Sequence, residues 1–248
     1  MEQVLLVTGG SRGIGAATAK LAARRGYMVA VNYATHRAAA DDVVRDIRAA
    51  GGRAAAFGAD VAHEDQILAM FERIDRELGR ITALVNNAGV VDMSQRVDEM
   101  SFERIKRMFD INVLGSIVCA REAIKRMSTK HGGPGGAIVN VSSAASRLGS
   151  PGQYVDYAAA KGAIDAFTLG LAKEVAAEGI RVNAVRPGLI ETDIHASGGI
   201  PDRVKQLAHL VPMQRGGSAE EVAESILWLL SPEASYVTMT LLDVSGGR

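Results

Sequence analysis

The feature that most constrains the fold of this chain is its rhythm. Short apolar runs alternate with longer amphipathic stretches along nearly the whole length. Val4–Thr8 reads as a strand and Ile14–Arg25 as the helix that follows it. Met28–Tyr33 and Ala54–Phe57 are the next strands, separated by a helix over Arg37–Ala50. A helix over Glu64–Leu78 leads to a strand at Ala83–Asn86. A long helical region, Phe102–Met127, leads to Ala137–Ser142, and a helix over Asp156–Ala177 leads to Arg181–Val185. Gly26, Gly51, Gly79 and Gly179 stand at the helix exits, where glycine tolerates the left-handed turn that ends a helix. Such β-α alternation with short connections predicts a parallel sheet with helices on both faces. The strands are apolar throughout rather than alternating, as buried parallel strands should be.

Two segments interrupt the pattern. Ser128–Gly136 reads as a surface loop, and Glu191–Pro212 as an irregular excursion over the sheet edge. Ser218 to Glu221 has the form of a capping box and opens a last helix through Leu230. A final strand is expected over Thr240–Val244. There is no internal repeat, low-complexity tract or linker, so residues 1–248 are expected to form one domain that carries the 191–212 excursion.

Composition narrows the function classes. Lys plus Arg and Asp plus Glu both number 28, and no basic cluster breaks the balance. Nothing therefore favours a nucleic-acid or acidic-membrane partner. No apolar run approaches the ~20 residues of a membrane span, and no signal peptide is recognisable at the N-terminus. Cys119 is the one cysteine; it sits in an apolar stretch and reads as a buried, inert thiol. A cytoplasmic setting is expected. The five histidines (His36, His63, His131, His195 and His209) form no paired ligand motif, so no metal site is expected. Gly-x-Ser-x-Gly is absent.

The first strand runs directly into Thr8-Gly9-Gly10-Ser11-Arg12-Gly13-Ile14-Gly15 and then a helix. Glycines here permit a tight turn and let a pyrophosphate approach backbone amides at a helix N-terminus. The spacing departs from the standard dinucleotide fingerprint. The end of the second strand bears on which dinucleotide is bound. NAD calls for a carboxylate on the ribose 2′-hydroxyl, and residues 29–40 contain no Asp or Glu. They supply Asn32, Tyr33 and Arg37 instead. Arg12 and Arg37 are cationic candidates for a 2′-phosphate, which favours NADP over NAD.

At this point the chain resembles the short-chain dehydrogenase/reductase family over essentially its whole length. The motif TGxxxGxG is met by Thr8 to Gly15, NNAG by Asn86-Asn87-Ala88-Gly89, and YxxxK by Tyr157 to Lys161. The upstream serine lies in Asn140-Val141-Ser142-Ser143, and Pro187-Gly188 follows the sixth strand. The branch it looks most like is shared by glucose-1-dehydrogenase-like proteins and 3-oxoacyl carrier-protein reductases. The resemblance implies a Rossmann doubly wound fold of about seven parallel strands in the order 3-2-1-4-5-6-7. It implies hydride transfer between nicotinamide and a carbonyl or secondary alcohol. Asn112, Ser143, Tyr157 and Lys161 would be the catalytic set, with Ser142 the close alternative to Ser143. Asn112 would hold a water that links Lys161 to solvent. Asp60 and Val61 would meet the adenine, and Asn86, Ala88 and Gly89 the nearby ribose. Pro187, Gly188, Ile190 and Thr192 would meet the nicotinamide. Family members commonly form tetramers, so a homo-oligomer is expected.

Tyr157 and Lys161 lie four apart on a predicted helix, which places them on one face. A free phenol with a pKa near ~10 is a poor acid or base at neutral pH. A neighbouring ammonium would stabilise the phenolate and bring that value down. Tyr154 has no lysine four residues on and is expected to pack or to line a pocket. The substrate should be set by Ala145–Val155 and Glu191–Pro212, where His195 and His209 bracket the excursion. A rival reading is a dinucleotide-binding sensor or scaffold without turnover. An intact acid/base set speaks against it, because a mere binder needs none.

Overall fold

The computed structural model describes residues 3–192, 198–200 and 202–248. Seven strands follow one another as β1 (Val4–Val7), β2 (Met28–Tyr33), β3 (Arg53–Gly58), β4 (Ala83–Asn86), β5 (Gly136–Val141), β6 (Ile180–Pro187) and β7 (Leu241–Val244). They form one sheet in the order β3-β2-β1-β4-β5-β6-β7. Every pairing is parallel. Both the alternation and the strand order implied by the family resemblance are met.

The side-chain period of two within each strand divides the core between the faces. Leu5 and Val7 point into one apolar layer. That layer is covered by α1 (Gly13–Arg24), α2 (Arg37–Ala49) and a helix over Ala219–Leu230. Val4 and Leu6 point into the opposite layer. That layer is covered by α3 (Glu64–Glu77), by Gly115–Met127, and by the long Val155–Val175 helix. No described helix is long and apolar enough to cross a membrane.

Local chemistry explains several boundaries. Gly26, Gly51, Gly79 and Gly179 all take positive φ at the helix exits. Before the last helix, Glu221 N donates to Ser218 Oγ at 3.1 Å and Ser218 N donates to Glu221 Oε2 at 2.8 Å, which closes the expected capping box.

The expected helix over Phe102–Met127 is not uniform. α4 (Phe102–Phe109) passes through a π-helical turn at Asp110–Leu114 before continuing as α5 (Gly115–Met127). Two further short helices follow β5 and β6: α6 (Ala145–Leu148) and α8 (Arg203–Leu207). Between them lies α7 (Val155–Val175), and α9 (Ala219–Leu230) comes last. The described part of the 191–212 excursion thus contains a short helix. His195 lies outside the described residues.

Candidate active site

The strand order reverses at β1, whose neighbours are β2 and β4. Ligands of doubly wound sheets bind at such a switch point, beyond the carboxyl ends of the strands. Here the two connecting loops interlock. Asn87 and Ala88 both donate backbone N–H to Thr8 Oγ1 at 3.0 Å. Asn87 Nδ2 returns to the glycine loop, donating to Thr8 O at 2.9 Å and Gly9 O at 3.0 Å. From the other side, Gly9 N donates to Asn32 Oδ1 at 3.1 Å and Gly10 N to Asn32 O at 2.8 Å.

Gly15 sets the close approach of α1. A Cβ there would stand 2.4 Å from Gly9 O and 2.6 Å from Asn87 Nδ2. The helix therefore begins directly against the loop, and its first amides, which have no partner within the helix, face outward.

These loops wall a crevice of about 620 Å³. Gly9, Ser11, Arg12, Gly13 and Ile14 line it from α1 and its loop, and Tyr33 from β2. Asp60 and Val61 line it after β3, and Ala88 and Gly89 after β4. The Asp60 carboxylate accepts Ala62 N at 2.9 Å, which fixes that turn.

Other expected residues sit differently. Asn32 borders the crevice, but its amide is taken up in the scaffold: besides Gly9 N, its Nδ2 donates to Ala59 O at 2.9 Å and Phe57 O at 3.2 Å. Gly15 lies beneath the loop and acts by clearance. The Asn86 side chain turns away, donating to Ser116 O and to Asn140 Oδ1, both at 3.0 Å. It ties β4 to β5 and α5. Arg37 is not on the crevice wall. Its side chain is 77% exposed and faces Asp41 at 3.5 Å on the outside of α2. The sequence argument that paired Arg37 with a 2′-phosphate thus loses its geometry, because the first turn of α2 carries the side chain outward. Arg12 keeps it.

A second cavity of about 470 Å³ adjoins the first and shares Ile14, Asn87, Gly89, Val91 and Thr192 with it. Tyr157, Ser143 and Lys161 line this cavity. Pro187, Gly188, Ile190 and Thr192 form another part of its wall. Ser143 lines the same cavity as the Tyr157 phenol and stands near enough to pull its pKa down. Ser142, by contrast, is buried and donates to Asp165 Oδ1 at 2.6 Å. The structure therefore places Ser143, and not Ser142, against the phenol.

Lys161 lies one turn along α7 and is 4% exposed. Its Nζ donates to Val141 O at 2.7 Å and lies 5.6 Å from the Tyr157 ring centroid. Burial pulls the Lys161 pKa down to about 8, partly opposed by the charge of Asp165. Burial likewise pushes the Tyr157 phenol above its ordinary value, and Ser143 pulls the other way. The sequence argument expected the ammonium to govern this phenol. Here Lys161 reaches past the ring to a strand carbonyl, so desolvation leads.

Asn112 explains the π turn. It is wholly buried. Its Oδ1 accepts Val90 N and its Nδ2 donates to Val90 O, each at 3.1 Å. A further bond runs from Nδ2 to Met108 O at 2.9 Å. The side chain thus clamps the segment after β4, and a Cβ on Gly89 would stand 2.7 Å from Asn112 Oδ1.

Sequence reasoning missed three supporting groups. Asn87 was within a quoted motif, and an amide beside a glycine loop was the available signal. Arg104 and Asp156 form a nearly buried ion pair, Nε to Oδ2 at 2.9 Å, that fastens α4 to the start of α7. Their separation of 52 residues left no local trace. Arg203 lines the second cavity from α8. Tyr154 is part of the cavity wall, as expected, and its hydroxyl donates to Gly198 O at 3.3 Å.

A family model described as enoyl-(acyl carrier protein) reductase matches residues 9–248. An uncharacterized oxidoreductase of Escherichia coli K12, YgfF, is 58% identical over 245 residues, covering 99% of each chain. A 3-oxoacyl-[acyl-carrier-protein] reductase of Synechocystis is 39% identical over 246 residues, covering 99% of this chain and 96% of its own. Among solved structures, a short chain dehydrogenase from Burkholderia cenocepacia in complex with NADP superposes with a TM-score of 0.90. It is 32% identical and covers 99% of this chain and 97% of its own. Sequence, strand order and site geometry converge: the chain belongs to the short-chain dehydrogenase/reductase family of oxidoreductases.

Proposed function

We propose that the protein moves a hydride between NADP and the carbonyl or secondary alcohol of a small substrate, with Tyr157 as the acid/base. The observation that carries this reading is the convergence of the Tyr157 phenol, the Ser143 hydroxyl and the Lys161 ammonium on one cavity, which adjoins the glycine-loop crevice.

The crevice suits a dinucleotide. Gly15 removes the Cβ that would push α1 off the loop, and the α1 amides face a bound anion. Where β2 ends, Tyr33, Ala34, Thr35 and His36 line the wall without a carboxylate, and Arg12 lines the same crevice. That lining supports NADP over NAD. The Burkholderia relative's NADP complex points the same way.

When bound, the nicotinamide supplies or accepts the hydride. The chain's own groups handle the oxygen. Tyr157 gives its phenolic proton to the substrate oxygen in reduction and takes it back in oxidation. Ser143 donates a hydrogen bond that steadies the charge developing on that oxygen. The Lys161 charge beside the ring favours the phenolate after the proton leaves. Asn112 fixes the Gly89–Val90 backbone next to Lys161 and so positions the floor of the site. Pro187 to Thr192 supply the wall against which the nicotinamide would rest.

We read residues 1–248 as one catalytic unit, with the 191–212 segment over the substrate. Phe102, Leu114 and Leu169 expose apolar side chains on α4, beside α5 and on α7, which supports a homo-oligomer, a tetramer in our reading. A cytoplasmic setting also belongs to this reading. Burial pushes the lone Cys119 thiol up to about 12, so it is inert.

Tyr157→Phe tests the reading. The variant should keep NADPH affinity, read by fluorescence titration, and lose at least ~100-fold in turnover on ketone substrates. Retained turnover would remove Tyr157 from the mechanism.

A further inference from the structure

The charge distribution of the second cavity narrows the substrate class. The whole chain balances 28 cationic against 28 acidic side chains. The cavity does not. Among its lining residues Lys161, Arg203 and Arg248 carry cationic side chains, and no Asp or Glu lines it among the described residues. Much of the rest is apolar, with Leu148, Leu207 and Leu210 in the wall.

Arg203 is the distinctive member. Several part-buried or exposed arginines pair with a carboxylate, as Arg104, Arg126, Arg186 and Arg215 do, whereas Arg48 and Arg181 are held by backbone carbonyls away from this cavity. Among the described residues, no carboxylate pairs with Arg203. Its guanidinium is held instead by neutral groups. Nη2 donates to Gln153 Oε1 at 2.7 Å, and Cζ lies 5.3 Å from the centroid of the Tyr154 ring. Tyr154 is itself buried and anchored through its hydroxyl. The guanidinium is therefore oriented by a stacked ring and an amide, and no carboxylate among the described residues compensates its charge. Planar donors held in this way suit a carboxylate, which they can meet with two parallel hydrogen bonds.

Its placement also bears on the substrate. Tyr154 precedes α7 as its N-cap and Tyr157 lies in the first turn, and both line the cavity. Arg203 stacks on the first and the acid/base phenol is the second. A ligand touching both would carry its reacting carbon and its anion at opposite ends of a short apolar body.

We propose that the substrate is a small carbonyl or hydroxy acid whose carboxylate is anchored by Arg203, several bonds from the reacting carbon. This rests on the assignment of the Tyr157 cavity as the substrate site. Arg203 acts here as a specificity residue and takes no part in proton or hydride transfer.

The experiment measures binding, so it does not depend on finding the natural substrate. Cyclohexanecarboxylate and cyclohexanecarboxamide, matched in shape, are titrated into the full chain with saturating NADP by calorimetry. The carboxylate should bind at least about tenfold more tightly, as expected for a hydrogen-bonded charge pair, and the preference should shrink as salt is raised. Arg203→Met should abolish the preference and leave amide binding unchanged, and Arg203→Lys should restore part of it. Equal binding of the two ligands to the wild type would overturn the proposal. So would an Arg203→Met variant that weakens both ligands alike, since that marks a structural role. Failure of the oxidoreductase reading looks different: no turnover of any neutral or anionic ketone by a protein that binds NADPH.

Discussion

Replacing Arg104 with Met puts the brace behind the site under a defined load. The side chains of Arg104 and Asp156 are 9% and 2% exposed. Arg104 Nε reaches Asp156 Oδ2 at 2.9 Å, and its Nη1 holds Met93 O at 2.7 Å and Gln95 Oε1 at 2.9 Å. Asp156 Oδ1 also accepts Tyr157 N at 2.9 Å. In Arg104→Met the carboxylate stays buried without its cation, and breaking a buried pair from one side costs about 3–5 kcal/mol. For a chain of this size that lowers the melting midpoint by roughly 10 °C. Urea denaturation at neutral pH measures the free energy directly. The double variant Arg104→Met/Asp156→Asn removes the stranded charge but keeps an oxygen for Tyr157 N. It should therefore regain most of the loss, to within about 2 kcal/mol of wild type. Turnover of the single variant should fall more than its NADPH affinity, because the disturbed residue adjoins Tyr157 and not the glycine loop. A loss under ~1 kcal/mol would place this pair with exposed surface bridges and refute the brace.

Two other outcomes are expected. Arg12→Ala should weaken NADP at least about tenfold, as loss of a charge-assisted phosphate contact does, and leave NAD nearly unchanged; a parallel loss for both cofactors, read by fluorescence titration, would mean that Arg12 does not see the 2′-phosphate. Lys161 has a folded pKa of about 8 against an ordinary value of 10.5, so between those values the unfolded chain binds more protons. Stability attributable to this residue must then rise with pH across that window, by up to ~1.4 kcal/mol per pH unit, and be lost as pH falls towards 8. Denaturation curves for wild type and Lys161→Met should diverge from pH 8 to 10, and parallel curves would contradict the burial assigned to the amine.

The sheet was legible in the sequence because its physics is local and repeated. Apolar runs of strand length, amphipathic stretches between them and glycines at the exits all act over a few residues. The capping box at Ser218 was readable for the same reason. Legibility ended where one side chain's role depends on a distant partner. Asn32 near the end of β2 and Arg37 at the start of α2 stand five residues apart, and both were candidates for the cofactor. The fold spends Asn32 on Gly9, Phe57 and Ala59 and turns Arg37 outward on the first turn of α2. Ser142 and Ser143 could not be separated by counting, because adjacent residues on an extended segment face opposite ways and only the packing of α7 decides which side holds the phenol.

Asn112 carries this furthest. An asparagine inside a helix was noticeable, since its side chain competes for backbone groups. Its consequence was not readable, because the competing backbone belongs to Val90, 22 residues earlier. To hold Val90 through both its N–H and its C=O, the buried amide must face the β4 loop squarely, and the helix widens to a π turn where it does so. The same turn brings the helix so close that only glycine fits at position 89, and Gly89 in turn faces the Lys161 amine. The helix irregularity, the glycine of the Asn-Asn-Ala-Gly motif and the placement of Lys161 are thus one packing solution. Its parts are scattered through the sequence and become a unit only when β4, the π turn and α7 meet.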